Sequence, residues 1–203
     1  MSGVSELSPE HGATERLLLR EFSHRINKEL AAAISLIAAA AGRCGDDQAR
    51  GELTSVRDRL QNYAHIHHSL QVPEYTTAID LAAYLQQLCR AVSRSMLAGE
   101  GIELLLSVHP RRMSSDRCWL LGMIVFELIA DAASHDFQGR AGTIQLEVAL
   151  AGGLIECRIG DNGMPSGDGL SIVEALAAGL KGMVERQARP EGTSTIVSIP
   201  AHP

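Results

Sequence analysis

Apolar residues at Leu19, Phe22, Ile26, Leu30, Ala33 and Ile37 recur at spacings of three and four, the rhythm of one face of an α-helix. Ser8-Pro9-Glu10 offers a start, with proline at the first helical position. The pattern therefore predicts one long amphipathic helix, ending near Ala41 at the break from Gly42 to Gly45. Asp46 or Asp47 can cap a second helix, where Leu53, Val56, Leu60, Tyr63, His67 and Leu70 repeat the rhythm of a coiled-coil seam. A hairpin this short cannot bury both of its stripes alone, which predicts a homodimer paired as a four-helix bundle.

After Val72-Pro73-Glu74 the texture changes. Thr77 to Asp80 reads as a capping box ahead of a helix carrying Leu81, Leu85 and Leu88; Gly99 and Gly101 end it, and Ile102 to Val108 reads as a strand. Ser115-Asp116 opens a strongly apolar helix through Phe126 and Ile129. Ile144, Leu146, Val148 and Leu150 then alternate, turn at Gly152-Gly153 and resume as Ile155, Cys157 and Ile159, a β-hairpin. A further helix is predicted from about Gly169 to Val184, and a last strand from Ser194 to Ile199 before Pro200. The expected architecture is α+β: residues 1–75 form the dimerising hairpin, and residues 76–203 form a two-layer α/β sandwich.

Composition sharpens this picture in three places. With 45% hydrophobic but only 3% aromatic residues, the core has to be aliphatic and largely helical. The formal charge of -6 argues against nucleic acid as a partner. Cys44, Cys89, Cys118 and Cys157 lie far apart without a CxxC pair, so neither a metal site nor a disulfide framework is expected. The start MSGVSELSPEHG lacks the pattern of a signal peptide, and no apolar run approaches the roughly 18 residues of a membrane span. A cytoplasmic protein without a membrane partner is the expectation.

Candidate chemistry begins at His24, which falls opposite the seam of the first helix and so faces solvent. Glu21 and Lys28 share that outer face by the rule of three and four, and Arg25 flanks it. A lone exposed histidine is usually inert, and the ordinary reading of the three charged neighbours is a solvated face. The surrounding string is more specific. Glu21-Phe22-Ser23-His24-Arg25-Ile26-Asn27-Lys28-Glu29-Leu30 resembles the phosphoacceptor segment of the HisKA_2 class of bacterial histidine kinases, relatives of the HWE kinases. The likeness continues through Arg59-Leu60, Ala64-His65-Ile66-His67 and Tyr84-Leu85. Phe126 to His135 resembles the N box of the GHKL (Bergerat) ATP-binding domain, Asp161-Asn162-Gly163 its next box, Gly167 to Leu170 a shortened glycine loop and Gly192-Thr193 the final Gly-Thr.

That resemblance implies a phosphoryl group carried on His24 and passed to an aspartate of a response-regulator receiver domain. Arg25 and Lys28 would steady the phosphoryl oxygens and Glu21 would orient the ring, while His67 on the second seam reads as a core histidine and His65 and His68 as surface. In members that use ATP and magnesium, the position of Glu127 is a base, that of Asp131 an asparagine on the metal and that of Asp161 the reader of adenine. Gly163, Gly169 and Thr193 complete the pocket. Here the chain departs from the pattern: Asp131 replaces asparagine, Ser134 replaces a cation, and only Met164 to Asp168 stand where a long lid would be. Each exchange adds about one negative charge beside a triphosphate, which at ~5 Å and an effective dielectric near 20 costs about 3 kcal/mol. The first expectation is thus a dimeric histidine phosphotransferase with a vestigial ATP pocket and no cofactor. The alternatives are an ATP-dependent histidine kinase and a non-enzymatic pseudokinase that binds a response regulator.

Overall fold

The computed structural model describes residues 9–71, 77–137, 139–164 and 170–202. The chain divides into two compact units, Met1–Val72 and Pro73–Pro203. In the first, α1 (Pro9–Arg43) and α2 (Asp47–Ser69) fold back on each other. Gly42 lies inside α1, so the helix runs past the predicted stop at Ala41. Asp46 is the cap of α2: its backbone is extended, and its carboxylate accepts from the Gln48 and Ala49 amides at 3.2 and 3.3 Å. A cap of this kind is worth about 1 kcal/mol. Arg50 braces the same turn by donating to the Cys44 carbonyl at 2.9 Å and pairing with Asp47.

The packed stripe differs from the predicted seam. Ile26, Leu30, Ile34 and Ile37 are half-buried and Ala41 is buried, facing half-buried Leu53 and Leu60 and buried Ile66. Phe22, placed in the seam by its spacing, is 63% exposed, and Val56, Tyr63 and His67 are exposed as well. His67, read as a core histidine of the bundle, is exposed in the single chain, and His65 and His68 are exposed as expected. A heptad averages 3.5 residues per turn against the helix's 3.6, so a stripe read by spacing drifts about 20° per heptad around a long helix. A second stripe is left in the open: Leu17, Leu18, Phe22 and Leu36 on α1, Val56 and Tyr63 on α2.

The second unit is a five-stranded sheet under a layer of helices. Its order is β2 (Ile102–Val108), β4 (Gly142–Ala151), β5 (Leu154–Asp161), β7 (Gly192–Pro200), β6 (Met183–Arg189), with β2 parallel to β4 and the remaining pairs antiparallel. The alternation read from the sequence sets the sidedness: Ile144, Leu146, Val148, Ile155, Cys157 and Ile159 are buried, whereas Gln145, Glu147 and Arg158 face solvent. α3 (Leu81–Val92) and α4 (Ser115–Asp131) contribute Leu85, Leu88, Val92, Leu121, Ile124 and Ile129, all fully buried. Each helix runs on into a π-helical turn, Ser93–Leu97 and Ala132–Asp136.

Two local expectations are corrected. Thr77 does not cap α3. Asp80 does, accepting from the Ala82 and Ala83 amides at 2.8 and 3.1 Å, while β1 (Ala78–Asp80) pairs with an unpredicted strand, β3 (Arg112–Ser114). The predicted helix to Val184 stops early: α5 spans Ser171–Gly179, and the chain turns through Lys181, at φ 55, into β6. Gly182 makes that turn possible, because a Cβ there would meet the Ser198 carbonyl at 2.7 Å. The start predicted at Gly169 lies outside the described residues.

Candidate functional site

Two separate places, one in each unit, carry the candidate chemistry. On α1, Glu21, His24, Arg25 and Lys28 are all exposed, on the face away from α2 predicted for them. Among the described residues His24 makes no hydrogen bond or ion pair, so both ring nitrogens open to solvent. Glu21 and Lys28 lie three residues before and four after it on the same helical face without bonding to the ring. A rigid helix thus presents an uncommitted nucleophile flanked by two cations and one carboxylate. That suits transfer of a small anionic group, in which positioning and charge do most of the work.

In the second unit the loop after β5 is built around one carboxylate. Asp161 Oδ1 accepts from the Gly163 amide at 2.9 Å and from the Thr193 amide at 3.4 Å, tying the end of β5 to the start of β7. Gly192 makes the approach possible: it sits at φ 139, and a Cβ on it would lie 1.9 Å from the Asp161 carbonyl oxygen. Asn162 clamps the other side, its Oδ1 accepting from the Thr143 amide at 2.8 Å. Two polar atoms at this loop remain unused among the described residues: Asp161 Oδ2 makes no hydrogen bond, and the buried hydroxyl of Thr193 has no partner. A buried hydroxyl without a partner costs free energy comparable to a lost hydrogen bond, so it marks a place where a ligand or water binds. Together they fit a flat donor–acceptor edge such as that of adenine. Gly169 lies outside the described residues.

The neighbouring end, where a metal-bound triphosphate would be expected, is built differently. Glu127 and Asp131 lie one turn apart on α4, and both are half-buried. Burial and the adjacent Asp131 carboxylate push the Glu127 carboxyl above its ordinary range. Asp131 itself is held by Arg186 of β6, whose Nη2 donates to Asp131 Oδ2 at 2.7 Å and whose Nε donates to Thr195 Oγ1 at 3.1 Å. Both side chains are largely enclosed, at 13% and 18% exposure. Thr195 stands two residues along β7 from Thr193, on the same face, so this ion pair adjoins the Asp161 loop within one strand repeat, about 6.6 Å.

The negative charge that Asp131 was expected to add is therefore neutralised from within the fold, a correction to the charge balance read from the sequence. With Oδ2 committed to the guanidinium at 2.7 Å, Asp131 keeps one oxygen for a cation, and the adjacent positive charge of Arg186 opposes a magnesium ion there in a way that the neighbours of a neutral asparagine would not. The adenine-like end fits a nucleotide and the metal end does not. Ser134 is exposed and supplies no cation. Separately, a cleft of about 480 Å³ opens along Gln145, Glu147, Arg158 and Gly160 and reaches Asp161 and Thr193; Glu127 and Asp131 do not line it.

Arg186 and Thr195 were not singled out from the sequence, and Asn162 entered only as part of the Asp161-Asn162-Gly163 box. A signal for Arg186 exists: in MVERQAR, Val184, Arg186 and Ala188 alternate on one face of a strand, but a charge in the middle of that face conceals it.

The raised Glu127 carboxyl gives a stability prediction. A carboxyl whose folded pKa lies above its unfolded value favours folding while it is protonated and weighs against the fold as pH rises through that range. Glu127→Gln is therefore expected to raise Tm at pH 7 and to leave it unchanged below about pH 4, where the unfolded-state carboxyl is also protonated. Because Glu127 is only half-buried, solvent screening holds the gain to at most about 1 kcal/mol. Thermal denaturation at the two pH values checks both the sign and the window.

Comparison with known proteins bears on the family and the fold. The family model HisKA_2, described as "Histidine kinase", matches residues 21–96, which include His24, α1 from Glu21 onward and all of α2. The blue-light-activated histidine kinase 2 of Erythrobacter litoralis is 26% identical over 97% of this chain and 60% of its own length. The sensor histidine kinase PdtaS of Mycobacterium tuberculosis is 20% identical over 90% of this chain and 39% of its own. The chain thus spans less than two thirds of the curated relatives it matches. Among solved structures, the histidine kinase domain of the Erythrobacter litoralis EL346 blue-light activated histidine kinase superposes with a TM-score of 0.60 at 21% identity, covering 86% of this chain and 96% of that one. Full-length ShkA in complex with AMPPNP superposes with a TM-score of 0.55 at 17% identity, over 92% and 46%. The fold is that of histidine kinase domains, helices followed by a GHKL-like sheet, and residues 21–96 carry the HisKA_2 segment. Among the described residues no helix is long and apolar enough to cross a membrane.

Proposed function

We propose that this chain is a two-component phosphorelay protein, a dimeric histidine phosphotransferase that moves a phosphoryl group between receiver-domain aspartates through His24. An unprotonated ring nitrogen of His24 attacks the phosphorus of an aspartyl phosphate; the N–P bond forms as the P–O bond breaks, and the aspartate leaves as a carboxylate. Reversal onto a second aspartate regenerates the free ring. Arg25 and Lys28 stabilise the anionic oxygens in flight. The observation that carries this reading over an ATP-dependent one is the Asp131–Arg186 ion pair, which commits the position where the related kinases hold their metal.

The kinase reading has its own support in the unused Asp161 and Thr193 oxygens and in the raised Glu127 carboxyl, the features of a nucleotide pocket with a base beside it. If an adenine nucleotide binds, Asp161 and Thr193 are the residues that would hold its ring. The two readings separate by donor. Incubation with radiolabelled, phosphorylated receivers is expected to give an acid-labile, base-stable label, and incubation with γ-labelled ATP and magnesium is expected to give none. Labelling from ATP alone would establish the kinase instead. Binding of a receiver without labelling from either donor would leave the sequestering pseudokinase.

The open stripe of the hairpin supports the dimer. Phe22 and Leu36, at 63% and 70% exposure, lie among six exposed large apolar side chains on two helices, and a second hairpin would cover them. Phe22→Glu with Leu36→Glu removes apolar side chains from no core within the chain, so the variant is expected to fold. Light scattering should read a dimer for the parent and a monomer for the variant; an unchanged mass would rule out this stripe as the interface.

A further inference from the structure

The two edges of the five-stranded sheet are unlike. β6, MVERQAR, carries Glu185, Arg186, Gln187 and Arg189, the charged and polar side chains that keep an edge from recruiting another strand. β2, IELLLSV, is seven residues long with Glu103 as its one charged residue, and Leu105 is 42% exposed. An unblunted apolar edge of this length is the kind that proteins cover.

Beside that edge lies a groove of about 680 Å³ between α3 with its π-helical turn and β2. Leu104, Leu106 and Cys89 line its apolar part, with Gln86, Arg90, Ser93 and Arg94 along the helix side. Leu104 and Leu106 are half-buried, because the helix layer covers β2 only in part. Arg90 and Arg94 are exposed four residues apart on the same face of the helical segment, and among the described residues no acidic one lines the groove.

We infer that the β2 edge and this groove form a docking surface for an extended acidic peptide segment, which adds as a strand to β2 and sets its carboxylates against Arg90 and Arg94. Strand addition takes affinity from main-chain hydrogen bonds to the free edge and specificity from side chains reaching alternate pockets. On the helix-facing side of the added strand, where neighbouring side chains are two residues apart, an apolar one would meet Leu104 and Leu106 and acidic ones beside it on that same face would meet the two guanidiniums. A second copy of this chain is the poorer occupant: paired through two such grooves, it would bring Arg90 and Arg94 of both copies together without a carboxylate between them.

The test uses the full chain and a fluorescein-labelled octapeptide with glutamate and valine alternating along one face of a strand and serine at every position between them, with a counterpart that carries lysine in place of glutamate. The acidic peptide is expected to bind in the micromolar range and slow amide hydrogen exchange within residues 102–108. Arg90→Glu with Arg94→Glu, both on the surface, should weaken binding at least about tenfold, the factor expected on losing two charge-assisted contacts. No binding, equal binding of the lysine peptide, or protection elsewhere would overturn the inference. Concentration-dependent protection of β2 without any peptide would overturn it in favour of self-pairing. Because neither arginine belongs to the His24 face or to the Asp161 loop, failure here leaves the phosphorelay reading standing.

Discussion

His24→Ala is expected to reduce receiver-derived labelling to background while leaving the hairpin folded. The side chain is exposed and makes no hydrogen bond or ion pair among the described residues, so its truncation removes the nucleophile and nothing that packs. Surface substitutions of this kind stay within about 0.5 kcal/mol of the parent in stability. The flanking charges should act by degree. Glu21→Gln and Lys28→Ala each alter an exposed electrostatic contact worth about 0.2–1 kcal/mol, so a rate change of roughly 1.5- to 5-fold is expected for each. Rapid-quench transfer from a phosphorylated receiver, alongside circular dichroism of each variant, reads chemistry and folding apart. Full labelling of His24→Ala would move the acceptor to another residue and end the proposal as stated.

Arg186→Ala should be among the most destabilising single substitutions in the second unit. It strands Asp131, an enclosed carboxylate, beside Glu127, which burial and Asp131 already hold above its ordinary range. Breaking a buried ion pair from one side costs about 3–5 kcal/mol, and the residual exposure of 13% and 18% places this pair near the lower figure. At about 2–4 °C per kcal/mol for a chain of this size, a fall in Tm of roughly 6–12 °C is expected. Removing both charges together, as Asp131→Asn with Arg186→Val, leaves no orphaned charge, only the Thr195 hydroxyl without its Arg186 donor, and should restore most of that stability. The same double variant frees the asparagine to meet a metal, so magnesium-dependent nucleotide binding should strengthen by about tenfold or more over the parent. A single variant as stable as the parent would show that the ion pair carries no weight; a double variant that gains no nucleotide binding would show that the shortened lid, not the pair, closes the pocket to ATP.

The outward setting of His24 was legible because it depends on one helix. Side-chain direction along α1 is fixed by 100° per residue, and the strongly periodic run from Ile26 to Ile37 sets the zero of that rotation. The β4–β5 hairpin was legible for the same reason at a period of two, with Gly152 and Gly153 at φ 57 and 84 marking its turn. Phe22, Val56, Tyr63 and His67 were not resolved by spacing, because two apolar stripes share each helix and only the partner helix decides which one it covers. β6 was hidden by a charged residue facing inward, which reads as surface until its counter-ion is in view.

The sequence by itself determined the elements whose geometry is local: two long helices, an outward histidine between an acid and two bases, the alternating hairpin and the ordered boxes around Asp131, Asp161 and Thr193. Tertiary structure alone decided how the second site is charged. Asp131 and Arg186 are separated by 55 positions, and whether a carboxylate is a metal ligand or half of an ion pair depends on what lies within hydrogen-bonding distance of it. No pattern within α4 or within β6 carries that distance. It follows from β6 pairing with β7 and from that sheet packing beneath α4, which places a guanidinium 2.7 Å from a carboxylate that would otherwise remain an uncompensated charge in a half-buried site.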